Sequence, residues 1–446
     1  MHQPPPGTHP PADPVPTPAA PAQRGTPSRR PGPASGPRAH VRELLGSALV
    51  GIAARRRVDP DHVGRIRVTS ATGGAPLVVR DDGVGFTAQE VRWLDATPGS
   101  HDHGPVREGL RRYESALLAA FHVADVVELR TRSALVPMAP TMRWVGLADG
   151  TVRVTLAEEP LEEPGTEIRL HPRAATRSWC TPETTLEHVL DVADQLPVAV
   201  EVDGVEVSGR ATLWERPAAE QAEWCRQRLG LDPLLVLPVP SSVAGVRAVA
   251  AVLPYRTQPG ARSAHRHYVR GMLAAEGTTE VVPGWVGFCH VVVDDARDIL
   301  TDPAHDDATV AERLGRSLLA QLVLLGAEQP ALFREVLALH GDALVRRALE
   351  SRDLFDLVRS TVPLPTTLGD LTLDALAGVV GVVPFTDDPS MWDALRDSAA
   401  RDGVLVVDAT ATHVRTLLEG LDAVEVPVPR VARLRESDLV VLGVAS

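Results

Sequence analysis

Pro76-Leu77-Val78-Val79-Arg80 runs directly into Asp81-Asp82-Gly83-Val84-Gly85-Phe86-Thr87. The apolar run after the Gly73-Gly74 turn reads as a strand. It delivers an acid to a sharp turn that carries two glycines one residue apart. Such glycines allow positive φ and let a ligand approach the backbone closely. The carboxylate beside them can accept a hydrogen bond from an exocyclic amine. The same residues also suit an ordinary Asp-Gly turn, so the motif needs support from elsewhere in the chain.

Upstream, Val41 to Arg57 has a helical pattern, with Leu44, Leu45, Ala48, Leu49, Ile52 and Ala53 at helical spacing. Glu43, Ser47 and Val50 fall at i, i+4 and i+7 and share one face. Glu43 is the only acid of this segment. It suits a general base that orients water, or a first-turn acid favoured by the helix dipole. Downstream, Pro164-Gly165-Thr166-Glu167-Ile168-Arg169-Leu170 offers a glycine, a hydroxyl and an alternating strand.

Outward from these segments the chain is ordinary in composition and unusual in organisation. It has 446 residues, 44% hydrophobic and 23% charged, as expected of a multidomain globular protein. Its net charge is −13, and all 45 basic residues are Arg. That balance argues against a protein held to nucleic acid by its overall field. Cys180, Cys225 and Cys289 stand far apart, which excludes a C-x-x-C metal or redox pair. The start of the chain has no apolar signal-like stretch and no segment reads as a membrane span, so a cytoplasmic, membrane-free protein is expected.

Four regions follow. Residues 1–38 hold 13 of the 39 prolines and almost no large apolar residue, and read as a disordered tail. Residues 39–173 read as an α+β unit, a helix-covered sheet. Residues 174–349 alternate helices and strands, with His267 to Leu273 as one strand. Residues 350–446 read as a small α/β unit with a strand at Ala423 to Pro427.

Order and spacing join the three motifs. A helix with R-E-L-L is followed after about 38 residues by D-D-G-V-G-F-T, after about 35 more by Phe121-His122-Val123-Ala124-Asp125, and after about 40 more by G-T-x-I-x-L. This resembles the ATP-binding domain of the 90-kDa heat-shock chaperone family, bacterial HtpG type, within the GHKL ATPase superfamily. The likeness continues through Thr212-Leu213-Trp214, His267-Tyr268-Val269-Arg270-Gly271-Met272-Leu273, Val281 to Phe288 and Val291-Val292-Val293-Asp294-Asp295, which resemble the family's middle domain. It covers about residues 40 to 446, with no counterpart of the family's C-terminal dimerisation domain, so no oligomeric state is expected from it.

The resemblance implies a GHKL (Bergerat) α/β sandwich followed by an α/β middle domain in two parts. It implies ATP and Mg2+ as cofactors and unfolded or client proteins as partners. Residue by residue, it assigns Asp81 to the adenine amine, Gly83 and Gly85 to the turn beneath it, Thr166 to a supporting hydroxyl and Glu43 to activation of the hydrolytic water. The chain also departs from the family. Ser47 stands where the family has the Asn that holds Mg2+ and phosphate, and Val50 replaces an acid. Arg111-Arg112-Tyr113-Glu114-Ser115-Ala116 replaces a glycine-rich segment whose amides reach the phosphates. Arg112 or Arg111 is the candidate to compensate by charge, the alternative being a solvated basic face. The family's middle-domain arginine falls near Ala304 in Asp302-Pro303-Ala304-His305, where no arginine sits, although Arg297 is nearby. The adenine half is therefore expected to outlast the phosphate half, and ATP hydrolysis is expected to be weak or lost. The alternative is an inactive pseudo-ATPase that serves as a protein-binding scaffold.

Overall fold

The computed structural model describes residues 37–94, 106–208, 211–257, 263–296, 307–378, 381–424 and 427–435. The expected tail lies outside them except for its last two residues.

Alternation along two short strands decides how the first unit is layered. Ile66 and Val68 of β1 (Arg65–Thr69) and Leu77 and Val79 of β2 (Leu77–Asp81) point to one face. That face needs an apolar cover, which α1 (Pro37–Val58) supplies through Leu44, Leu45, Ala48 and Ile52. Three arginines in the last turn of α1 complement its dipole. Thr87 caps α2 (Ala88–Trp93) in a reciprocal box with Glu90, so the residue that ends the glycine turn also starts a helix. Then come α3 (Val106–Ala120), β3 (Ala124–Arg132), β4 (Met142–Leu147), β5 (Val152–Leu156), β6 (Gly165–Pro172), α4 (Pro182–Ala193), β7 (Ala199–Val202) and β8 (Val205–Ser208).

These strands form one eight-stranded sheet in the order β5-β4-β3-β6-β2-β1-β7-β8. It is antiparallel except for the parallel β1–β7 pair. Helices α1, α3 and α4 share its core through residues such as Leu45, Leu117 and Val192. The sheet therefore takes in β7 and β8, beyond the 173/174 boundary expected from the sequence. Arg65 pairs with Ala199 and Val68 with Val202, which ties those late strands to the first unit.

The second unit comprises α5 (Ala218–Leu229), β9 (Leu235–Pro240), β10 (Val246–Val252), β11 (His265–Val269), β12 (Met272–Gly277), β13 (Cys289–Asp295), α6 (Asp307–Glu328), α7 (Pro330–Ala348) and α8 (Arg352–Thr361). Its sheet runs β12-β11-β13-β10-β9. Strand β10 is buried on both faces. Ala248 and Ala250 face a core that includes Leu318 and Phe333 of the long helices, and Val249 and Ala251 face Trp224 and Tyr268. The single strand expected at 267–273 is two strands, because Arg270 and Gly271 both take positive φ and reverse the chain.

The last segment adds α9 (Leu373–Ala377), β14 (Val382–Thr386), α10 (Pro389–Arg401), β15 (Val407–Asp408), α11 (Thr412–Glu419) and β16 (Arg430–Arg433), with a parallel sheet β15-β14-β16. Its third strand lies at 430–433, while residues 425–426 of the expected 423–427 strand lie outside the described residues. Val383, Phe385, Val407 and Leu417 belong to the same core as Leu318 and Phe333, so the apolar interior is continuous across residue 350.

The first two sheets meet at the end of α4. Asp194 accepts from Trp224 Nε1 at 3.0 Å and is ion-paired with Arg228 at 3.5 Å. Gln195 Oε1 accepts from the Leu213 amide at 2.7 Å. Gly271 lies so close to Gln195 that a Cβ there would stand 2.4 Å from its carbonyl oxygen, and its own amide donates to Asp294 Oδ1 at 2.7 Å.

Candidate functional site

Period two along β2 carries Asp81 onto the buried face already occupied by Leu77 and Val79. Its ladder partners are Ile66 and Thr166. A carboxylate in that position needs donors, and the chain provides them. The Gly83 amide donates to Oδ1 at 2.8 Å and the Tyr113 hydroxyl to Oδ2 at 3.0 Å. Asp81 is 4% exposed. Burial pushes its pKa up to about 7, against the opposing pull of the Gly83 and Tyr113 hydrogen bonds.

The glycines make the turn fit its surroundings. A Cβ on Gly83 would lie 2.4 Å from the carbonyl carbon of Gly51 in α1, and the next residue, Val84, donates its amide to the Gly51 oxygen at 2.9 Å. Gly85 has φ +63°, and a Cβ there would stand 2.0 Å from the Arg132 oxygen. Both positions are thus occupied by close backbone contacts within the protein.

Thr166 is buried, with its hydroxyl 3.2 Å from that of Thr131. Thr131 in turn donates to the Gly165 oxygen at 3.0 Å and accepts from the Phe86 amide at 2.9 Å. The Thr166 side chain also stands beside Tyr113 and pulls against the rise of its pKa. Asp81, Gly83, Gly85 and Thr166 therefore converge on one end of the sheet, with Gly51 of α1 over them.

The other expected residues stand further along α1. Ser47 is buried and donates its hydroxyl to the Leu44 oxygen at 2.8 Å, within its own helix. Glu43 is half-buried, 3.5 Å from Arg42 Nη2, while Arg42 Nη1 reaches the Ala274 oxygen of β12. Eight residues separate Glu43 from Gly51, about 12 Å along the axis, so Glu43 lies well away from the carboxylate of Asp81. The side chains of Arg111 and Arg112 lie outside the described residues, as do Arg297 and Ala304.

Tyr113 is the residue that the sequence reading passed over. It starts the stripe Tyr113, Ala116, Leu117, Ala120 on the buried face of α3, a pattern visible in the sequence as helical periodicity. The ring is 2% exposed and meets Phe86 edge-on, with centroids 4.6 Å apart. Burial and the neighbouring carboxylate hold the phenol proton on well above the ordinary tyrosine range, which keeps Tyr113 a donor.

These residues fit a purine only in part. The acid, the hydroxyl and the turn are assembled, but both oxygens of Asp81 already accept from the protein and the Ser47 proton is engaged by Leu44. Among the described residues no group of three or more His, Cys, Asp or Glu is placed to hold a metal ion, and no helix is long and apolar enough to cross a membrane. All three cysteines are buried with free thiols, and burial raises the pKa of each.

No protein-family model matches the chain. Among curated proteins it is similar to the "Chaperone protein HtpG" of Methylobacterium nodulans, 27% identical over 214 residues, which covers 41% of this chain and 33% of that protein. It is also similar to the HtpG of Methylobacterium sp. (strain 4-46), 24% identical over 302 residues, covering 57% and 46% of the two chains. A third relative is the HtpG of Geobacter metallireducens, 23% identical over 324 residues, covering 60% and 48%. The matched part spans a third to about half the length of these relatives.

Proposed function

We propose that this chain, a divergent HtpG-like protein, binds unfolded or client proteins as a chaperone and hydrolyses ATP slowly or not at all. The observation that carries this reading is the pairing of a retained frame with an altered phosphate side. Asp81, Gly83, Gly85 and Thr166 converge under α1, whereas Ser47, at the Mg2+ position, donates its hydroxyl to Leu44.

Phosphoryl transfer depends on positioning and on charge stabilisation around the γ-phosphate. A serine reaches less far than the family's asparagine. Ser47 would be the metal contact and Glu43 the residue that orients water, while Asp81 and Thr166 would take the adenine. Bound Mg2+ would neutralise phosphate charge. The loss of a charge-stabilising contact costs roughly a hundred- to a thousand-fold in rate, so several such losses favour binding over turnover. On this reading the protein works in the cytoplasm, and its net charge of −13 suits protein partners better than nucleic acid.

The test heats an aggregation-prone reporter enzyme with the full chain, with and without ATP and Mg2+, and follows light scattering and phosphate release. Dose-dependent suppression of scattering, with phosphate release near background, is expected. Unchanged scattering at every dose overturns the chaperone reading. The second reading, a pseudo-ATPase scaffold, is favoured by the engagement of Asp81 by Tyr113. It predicts no suppression and no heat with nucleotide.

A further inference from the structure

We propose that Tyr113 is a built-in competitor for the purine position: its phenol sits where an adenine would meet Asp81 and Thr166, and so keeps nucleotide out of the cleft. This rests on the reading of that cleft as a purine site and adds how the site is regulated.

The geometry is that of a replaced ligand. An exocyclic amine would offer an N–H to Asp81, and the Tyr113 O–H makes that donation at 3.0 Å to Oδ2. A supporting hydroxyl would be shared, and the Thr166 side chain stands beside the same phenol. An aromatic ring would need an apolar neighbour, and Phe86, from the glycine turn itself, meets the Tyr113 ring at 84°. Each contact expected of a purine edge is thus made by one side chain of α3.

The space was also made for it. Gly51 of α1 packs against this end of the sheet, and a Cβ there would lie 2.8 Å from the phenol oxygen and 3.3 Å from Asp81 Oδ1. Only a bare backbone at position 51 lets the phenol and the carboxylate meet at this distance. Tyr113 is held from behind as well, since Ala116, Leu117 and Ala120 on the same face are buried in the sheet's core. Removing the ring from the cleft exposes a large apolar surface and leaves one carboxylate oxygen short of a donor.

The consequence is a population effect. A nucleotide binds only the fraction of molecules with the ring displaced, so the apparent Kd is weakened by that fraction.

The experiment is isothermal titration of the full-length protein with ADP and with adenosine. Wild type, Tyr113→Ala, Tyr113→Leu, Tyr113→Phe and the double variant Tyr113→Ala/Asp81→Ala are compared, each checked for folding by circular dichroism. Wild type and Tyr113→Phe, which both keep the ring in place, are expected to bind ADP only weakly. Tyr113→Ala is expected to tighten ADP affinity at least roughly 30-fold, which corresponds to a displaced fraction of a few per cent or less in wild type. Tyr113→Leu guards against a misfolded alanine variant and should gain affinity in the same direction. The double variant should lose the gain.

Wild type binding as tightly as the alanine and leucine variants overturns the competitor role while leaving the purine reading intact. Silence from every folded variant overturns the purine reading and the competitor with it. A gain that survives the loss of Asp81 also overturns the proposal, because the nucleotide then sits elsewhere.

Discussion

The Tyr268 hydroxyl donates to Asp194 Oδ1 at 3.2 Å, tying the second sheet to the last turn of a helix that covers the first. The same carboxylate accepts from Trp224 and Gln195 and faces Arg228, and its side chain is 6% exposed. Burial raises the pKa of Asp194, while the Arg228 charge pulls it back down. One carboxylate therefore gathers partners from the chain just after α4, from α5 and from β11.

Asp194→Ala should leave the Trp224 indole and the Tyr268 hydroxyl without their acceptor. Each buried polar group so orphaned costs about 1–3 kcal/mol, so the loss in unfolding free energy should be about 2–6 kcal/mol. Urea denaturation followed by tryptophan fluorescence measures it. A change below 1 kcal/mol would show that water replaces the carboxylate and that the junction is not held here.

Asp81 should set a pH dependence of known sign. Its pKa is about 7 in the folded protein against 3.8 for an ordinary aspartate. Between those values the folded chain keeps a proton that the unfolded chain has lost. Stability from this group therefore falls as pH rises from about 4 to 7, by up to about 1.4 kcal/mol per pH unit, and is constant above. Asp81→Asn removes the titration. The difference in Tm between Asp81→Asn and wild type should shift in favour of the variant from pH 5 to pH 8. A difference that does not move with pH sinks the assignment.

The second sheet should respond in the opposite direction. His265 accepts the Val291 amide through Nδ1 at 3.1 Å, and burial lowers the pKa of His265 and of His290 to about 4. A free imidazole titrates near 6.5. The unfolded chain gains these protons first, so the stability they contribute is present above pH 6.5 and is lost as pH falls towards 4. His265→Gln keeps an acceptor without the titration. Its melting curves between pH 7 and pH 4.5 should lose less stability than those of wild type, and an identical slope would refute the claim.

Two glycines separate conformational strain from collision. Gly85 and Gly150 both have positive φ, but a Cβ on Gly150 meets nothing within 4 Å, whereas one on Gly85 meets Arg132. Gly150→Ala should cost about 1 kcal/mol from its φ alone. Gly85→Ala should cost at least about 3 kcal/mol, because the main chain has to move. Circular dichroism melts of the two variants compare them directly, and equal costs would contradict the close approach.

How much of this was legible in the sequence depends on the range of the interaction. The burial of Asp81 follows from Leu77 and Val79 four and two residues before it. The α1 face follows from local spacing, and α2 from Thr87 and Glu90. The strand at 267–273 was misread because a turn at Arg270-Gly271 needs a left-handed arginine, which residue type alone disfavours. The pairing of β1 with β7 was invisible because alternation shows that a strand has a buried face without showing which strand it joins. Tyr113 was passed over, although its buried stripe follows helical spacing. That its hydroxyl ends on Asp81 depends on how α3 crosses the sheet, and no local pattern encodes that crossing.

Gly271 rests against Gln195 with main chain touching main chain, and its amide is spent on Asp294. A joint built from side chains can be re-tailored by substitution, but one built from peptide groups can be kept only by keeping the bare residue. Neither sheet can therefore be grafted onto a foreign mate without that mate supplying the same naked spot, and the two travel through any redesign as a single indivisible piece.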